Sequence, residues 1–314
     1  MNGCGRRFHD DGQDKRGLFR FGVLRLVTAA AVCACLSRAP ADPAADSRPA
    51  SAPASTPASA PAGAEIVHSS RTQEEVRTAT AAMDEKTKAL KFQATKAEFT
   101  AADGYRMNYR LAAPKPQVPG RKYPLVILFG GNLTGANPLV LPEYQAKHPC
   151  YVAEMVPAVP SQDLGRDKGW KQKVARTTQA LVGDLLTRHD IDRDRIYATG
   201  HSAAGGMVWA TALTCPDLLA AIAPSAATCE ISLAPALVEH RVAAWVFMGA
   251  KDNAVGIDNP RGARAMVEAI VQAGGSVRYT EYDNLGHSYA CMTEPDLPAL
   301  LDWMFAQRRP PARK

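Results

Sequence analysis

Two kinds of apolar run alternate along this chain. Pro124-Leu125-Val126-Ile127-Leu128-Phe129 is apolar without interruption and reads as a strand buried on both faces. Residues 151–158, Ile196-Tyr197-Ala198, 219–223, Val242-Ala243-Ala244-Trp245-Val246-Phe247-Met248 and 276–282 read as further strands. Between them, Val174, Thr178, Leu181 and Leu185 recur at helical spacing. So do residues 207–213, a segment over 261–273 closed by Gly274-Gly275, and 296–308 through Leu297, Leu300, Leu301, Met304 and Phe305. Strand alternating with helix predicts an α/β fold with a mostly parallel, doubly wound sheet. Residues 92–101 and 105–111 alternate apolar with polar across Asp103-Gly104, which predicts an antiparallel hairpin at the edge of that sheet. Upstream, Thr72-Gln73-Glu74-Glu75 forms a capping-box pattern opening a helix near 72–91. Its stripe of Val76, Ala79, Met83 and Leu90 is thin, so the helix is expected to be peripheral.

The first quarter of the chain has a different texture. Arg6, Arg7, Lys15, Arg16, Arg20 and Arg25 precede the apolar, small-residue run 26–36, which is too short to span a bilayer. Basic region, short apolar region and small residues make residues 1–36 a signal sequence in layout. Val32-Cys33-Ala34-Cys35 resembles a lipobox, which would make Cys35 a lipidated N-terminus; plain cleavage at Ala39 or Ala41 is the alternative, and both stay open. Residues 37–65 are nearly all Ala, Pro, Ser and Asp and read as an extended tether. The expected layout is signal sequence 1–36, tether 37–65 and one globular domain over 66–314, exported and either secreted or periplasmic, or held at a membrane through Cys35.

The net charge of +6 belongs to the ends. Residues 1–36 carry +3 and the tail residues Arg308, Arg309, Arg313 and Lys314 carry +4, leaving 37–307 with one net negative charge. A near-neutral body excludes a nucleic-acid-binding class.

The chemistry concentrates where Ile196-Tyr197-Ala198-Thr199-Gly200-His201-Ser202-Ala203-Ala204-Gly205-Gly206 joins a strand to a helix. Small residues allow a tight corner that presents the Ser202 hydroxyl at the top of a sheet. The same corner aims helix N-terminal N–H groups, Ala203 first, at a developing oxyanion. Gly131 or Asn132, in the loop after the 124–129 strand, is the candidate second donor. Asp252 and His287 each follow a strand end on the same edge, where clefts of open α/β sheets lie. The order Ser202, Asp252, His287 suits a serine hydrolase, with His287 as base and Asp252 fixing its tautomer. Asp258 shares the Asp252 loop and competes for that role. His9 and His68 precede the domain or lie at its start, His148, His189 and His240 precede strands, and His201 adjoins the serine. Trp170 and His201 are candidates for contact with substrate. No cofactor is implied, and without Cys-x-x-Cys or clustered histidines no metal site is expected.

The segment 195–202, Pro216-Asp217-Leu218 with Ala221-Ile222-Ala223-Pro224, Gly249-Ala250-Lys251-Asp252, Gly286-His287 and the hairpin 103–110 together resemble the polyhydroxybutyrate depolymerase and feruloyl esterase group of α/β-hydrolases. The resemblance covers about 97–307. It implies exported carboxylic-ester hydrolysis of a small or polymeric ester, by acylation of Ser202 and then hydrolysis. Two positions depart from the pattern: Phe129 stands in place of a loop histidine, and Ala204 in place of the last glycine of G-x-S-x-G. A peptidase of the same fold would use the same residues, and an inactive binding module is the alternative from outside the enzymes. Among Cys150, Cys215, Cys229 and Cys291, the pair Cys229–Cys291 is expected to form a disulfide, since both follow strand ends on the catalytic edge, and two free thiols are the alternative. Cys215 ends the Ser202 helix at the opposite edge, about 17 Å away along a strand, beyond disulfide reach.

Overall fold

Tyr123–Phe129 is buried at every position, as its unbroken apolar run requires, and forms a central strand of a nine-stranded sheet. The structure, a computed structural model, describes residues 63–90, 94–130, 137–158 and 169–310. Residues 1–62, with the signal region, Cys35 and most of the tether, lie outside the described residues, as do Gly131, Asn132, Arg313 and Lys314. The strands are β1 (Gly63–Ser69), β2 (Thr95–Thr100), β3 (Arg106–Ala112), β4 (Tyr123–Phe129), β5 (Tyr151–Pro157), β6 (Ile191–His201), β7 (Ala221–Ser225), β8 (Ala243–Gly249) and β9 (Ser276–Tyr282). The helices are α1 (Gln73–Ala89), α2 (Pro142–Lys147), α3 (Trp170–Arg188), α4 (Ala203–Thr214), α5 (Ala234–Glu239), α6 (Ala263–Gln272) and α7 (Asp296–Ala306). No helix among the described residues is long and apolar enough to cross a membrane.

The sheet order is β1-β9-β8-β7-β6-β4-β5-β3-β2. Every neighbouring pair is parallel except β3–β5 and the hairpin β2–β3, which forms the expected antiparallel edge. Alternate side chains feed two apolar layers. Leu125, Ile127 and Phe129 of β4 join Val174 and Leu181 of α3, Met207 of α4, Leu237 of α5 and Met266 of α6 on one face. Val126, Val152 and Tyr197 join Met83 of α1, Tyr144 of α2 and Leu300 and Met304 of α7 on the other. Phe129 is therefore a core side chain of the α3–α4 layer.

The capping box opens α1 as expected: the Glu75 N–H donates to the Thr72 hydroxyl, and the Thr72 N–H donates to the Glu75 carboxylate at 2.7 Å. Only Val76, Met83 and Thr87 of that helix are buried, in keeping with a peripheral element. Residues 63–65 depart from the tether reading. They begin β1, which runs parallel to β9 from Gly63 opposite Ser276 to Ser69 opposite Tyr282. An edge strand takes its order from backbone pairing; with Ile66 and Val67 exposed, β1 has no burial pattern to betray it.

The cysteine pairing is also corrected. Cys150, Cys215, Cys229 and Cys291 are all buried free thiols. Cys229 lies in the layer of α3–α6 and Cys291 in the layer of α1 and α7, so the sheet separates the pair expected to bond. Strand order along the chain places both near one edge but does not say which face each turns to. Burial pushes the Cys229 thiol up to about 12, which leaves it a poor nucleophile.

Arg110 and Glu154 face each other in the β3–β5 register, both buried, with guanidinium and carboxylate 3.6 Å apart. Removing one partner strands the other's charge in the core. Arg110→Leu should cost about 3–5 kcal/mol of stability in denaturant unfolding, and the double variant Arg110→Leu/Glu154→Leu should recover most of that loss. Additive losses would show that the two charges are solvated independently.

Candidate active site

Ser202 sits between the last residue of β6 and the first of α4, with φ 59° and ψ −123°. Such a conformation costs an L residue about 1–3 kcal/mol and persists only where its surroundings dictate it. Here the Ser202 N–H donates to the Ser225 carbonyl on β7 at 2.9 Å, and the Gly206 N–H donates back to the Ser202 carbonyl at 3.0 Å. The helix must also lie close against the sheet. A Cβ on Gly205 would stand 2.7 Å from the Ala227 Cβ and 2.9 Å from the Ser225 carbonyl oxygen. Ala204, one residue earlier, has its methyl 2.9 Å from where a Cβ on Gly130 would be. The glycine at the end of β4 thus makes room for the alanine that departs from the G-x-S-x-G pattern.

Asp252 follows β8 and is buried, 2% exposed. Its Oδ1 accepts from the Ala254 and Val255 N–H groups at 2.8 and 2.9 Å, and its Oδ2 meets His287 Nδ1 at 2.8 Å. Burial raises its carboxyl pKa, but the Val255 N–H, His287 and the Ala254 N–H outweigh burial and hold it below the usual carboxylate range. An ionised carboxylate only accepts, so His287 Nδ1 donates and Nε2 is left as the basic nitrogen. Asp258 is ruled out as the partner of His287: it is exposed and pairs with Arg264 at 2.8 Å.

The loop carrying His287 is tied down on both sides. Lys251 N–H donates to the Leu285 carbonyl at 2.9 Å, and Ser225 Oγ donates to the Ser288 carbonyl at 3.2 Å. The Tyr289 and Thr199 hydroxyls hydrogen-bond at 2.8 Å. His201 packs its ring on His287, with centroids 4.4 Å apart, and stacks on Tyr289 at 5.4 Å. His201 is therefore a wall behind the base. Tyr289, Thr199 and Ser225 escaped the sequence reading; the period-two spacing of Thr199 and His201 on β6 is the one signal that puts them on a common face.

Among the described residues no hydrogen bond joins the Ser202 hydroxyl to His287; such contacts tighten when substrate binds. Ala203 is exposed as the first residue of α4, a position whose N–H has no intrahelical acceptor. The other proposed oxyanion donors, Gly131 and Asn132, lie outside the described residues. Trp170 begins α3 and is half-buried against the α3–α6 layer, with Lys171 Nζ 5.7 Å from its ring centroid. At the outer flank of the same sheet edge, where β1 and β9 end, His68, Glu281 and Asp283 bring ligand atoms within 4.8 Å of one another. Both Glu281 oxygens are already taken by Arg264 at 2.6 and 2.9 Å, so the trio is an ion-pair network.

No protein-family model and no curated protein sequence matches the chain. Solved structures do. A thermostable esterase is 27% identical, with TM-score 0.59 over 69% of this chain and 63% of that one. A putative dipeptidyl aminopeptidase IV from Bacteroides ovatus is 15% identical, with TM-score 0.56 over 68% of this chain and 35% of that one. The Pyrococcus horikoshii acylaminoacyl peptidase is 14% identical, with TM-score 0.54 over 72% of this chain and 44% of that one. The chain spans less than two thirds of the length of each, and the two peptidases speak for the fold alone. The chain has the α/β-hydrolase fold. Esterase and peptidase structures share it.

Burial, and after it the neighbouring His287, push the His201 pKa from 6.5 down to about 4. Between those values the unfolded chain binds a proton that the folded chain refuses. The stability tied to His201 is complete above the unfolded value and falls as pH drops toward the folded one. The denaturation midpoint of wild type should fall more steeply from about pH 7 to about pH 5 than that of His201→Phe. Parallel slopes would mean that His201 titrates freely in the folded state.

Proposed function

We propose that this chain is an exported serine hydrolase of carboxylic esters, with Ser202 as nucleophile, His287 as base and Asp252 as the orienting acid. The observation that carries the reading is the buried Asp252 carboxylate, satisfied by two backbone N–H groups and bonded at 2.8 Å to His287 Nδ1, beside a serine held at positive φ. In this reading His287 Nε2 takes the Ser202 proton as Oγ attacks the ester carbonyl carbon. The Ala203 N–H, with Gly131 or Asn132, stabilises the oxyanion. The imidazolium, held by Asp252, returns its proton to the leaving alcohol. A water deprotonated by the same nitrogen then releases the acid and restores Ser202.

The resemblance of 195–202, 249–252 and 286–287 to the polyhydroxybutyrate depolymerase and feruloyl esterase group favours esters, as does the likeness to a thermostable esterase. The likeness to acylaminoacyl and dipeptidyl peptidases supports amide cleavage as the second reading. Ser202→Ala and Asp252→Asn should each lower the rate on short p-nitrophenyl esters about 10⁴-fold, with Asp258→Asn close to wild type. A fluorophosphonate should label Ser202. Near-wild-type activity of Ser202→Ala overturns the assignment, and cleavage of peptide but not ester probes overturns the substrate class.

Export rests on the layout of residues 1–36, and the 37–65 tether would hold the domain off a surface. Mass spectrometry of the mature N-terminus should find a diacylglycerol-modified Cys35 in the anchored form. An unmodified terminus at Ala39 or Ala41 would make the protein soluble after export.

A further inference from the structure

We propose that Lys171 and Arg261 form an anion subsite beside Ser202, so that the preferred ester carries a free carboxylate. The inference rests on Ser202 being the nucleophile, and adds the substrate's charge to that reading.

Lys171 lies in the first turn of α3 and reaches across to the first turn of α4. Its Nζ is 3.0 Å, and its Cε 3.3 Å, from where a side chain on Gly206 would begin. Gly206 is the residue whose N–H closes the first helical bond onto Ser202, so the ammonium stands about one helical turn from the nucleophile. Lys171 is half-buried, and among the described residues no carboxylate pairs with it. Burial first, and then the nearby Arg261, lower its pKa. Arg261 is fastened to the same place through Cys229: its carbonyl accepts the Cys229 N–H at 2.8 Å, and its Nε donates to the Cys229 carbonyl at 3.5 Å. Its other partner, Glu230, is 3.8 Å away with both side chains more than half exposed, a contact of little energetic weight.

Three positive contributions therefore converge on one side of the corner: the Lys171 ammonium, the Arg261 guanidinium and the N-terminal end of α4. None stabilises another. A half-desolvated ammonium facing a second cation and the positive end of a helix is unfavourable in the free protein. A bound carboxylate reverses the sign of each of these terms. Because the pair flanks the first turn of α4 rather than Ser202 itself, the carboxylate belongs to a part of the substrate a few bonds from the scissile carbonyl, on its acyl or its alcohol side.

The test uses the full chain and two ester pairs that differ in charge. Mono-p-nitrophenyl glutarate against p-nitrophenyl valerate places the carboxylate on the acyl side; p-carboxyphenyl acetate against phenyl acetate places it on the alcohol side. For at least one pair, the anionic-to-neutral ratio of kcat/KM should fall about tenfold in Lys171→Met, less in the exposed Arg261→Gln, and little in Lys171→Arg. The wild-type ratio should also fall as salt is added. Ratios that are the same in wild type, Lys171→Met and Arg261→Gln, with the neutral esters still cleaved, overturn the subsite and leave the hydrolase reading standing. Loss of cleavage of every ester together with no fluorophosphonate labelling overturns the hydrolase reading, and the subsite with it.

Discussion

The active edge of this molecule depends on a serine held in a backbone conformation that its own side chain opposes. Nothing within Ser202 stabilises φ 59°. The conformation persists because β7 and α4 hold it from both sides, through the Ser225 carbonyl and the Gly206 N–H. That grip works only at close range, which is why Gly205 tolerates no Cβ against Ser225 and Ala227. In the order β4-β6-β7, the β7 ladder runs to the end of β6, with His201 opposite Ser225 directly before the corner. The departure at Ala204 is absorbed on the other side of the corner, where Gly130 ends β4. The constraint is thus shared among three strand ends, and a residue outside the motif decides whether the motif may vary.

A second set of strand ends brings the base to that corner. The β8 end delivers Asp252, and the β9 end delivers His287. They lie so close together that a Cβ on Gly249 would stand 2.2 Å from the Gly286 carbonyl oxygen. The Ala250 N–H donates to the Tyr282 carbonyl and the Lys251 N–H to the Leu285 carbonyl, both at 2.9 Å, joining the two loops by backbone alone. Asp252 spends one oxygen on the N–H groups of its own turn and keeps the other for His287. Its geometry therefore comes from local chain direction, and its ionisation from hydrogen bonds that outweigh burial.

This explains which parts of the molecule were legible in the sequence. β4, β8 and the 196–200 part of β6 are buried on both faces, so their composition alone marks them. The pairing of Asp252 with His287 follows from chain order, because each residue comes directly after a strand of one parallel sheet. The sequence favours Asp252 over Asp258, which shares its loop, because Asp252 comes first after the β8 end; the structure puts Asp252 2.8 Å from His287 and pairs Asp258 with Arg264. What spacing does not carry is the face of the sheet. Cys229 and Cys291 share an edge and differ in face, so the expected bridge is absent. Edge strand β1 and the short helices α2 and α5 lack a periodic apolar pattern and went unread. Tyr289 and Lys171 owe their places at the site to tertiary packing alone.

The placement of His201 then has a physical reason beyond filling space. Its ring lies 4.4 Å from the ring of His287, and in the proposed reaction His287 becomes an imidazolium. A second imidazolium at that distance would oppose the charge just when it must form. Burial removes the conflict: the His201 Nε2 is enclosed without a hydrogen-bond partner, and the group stays neutral down to about pH 4. Tyr289 adds a second ring that carries no charge in the same range, since burial raises its pKa. The base is thus walled by aromatic groups that remain neutral, while Asp252 supplies the counter-charge on the opposite nitrogen. Positive charge stands instead at Lys171, beside Gly206 in the first turn of α4, where in the proposed subsite it meets a substrate carboxylate and not the imidazolium.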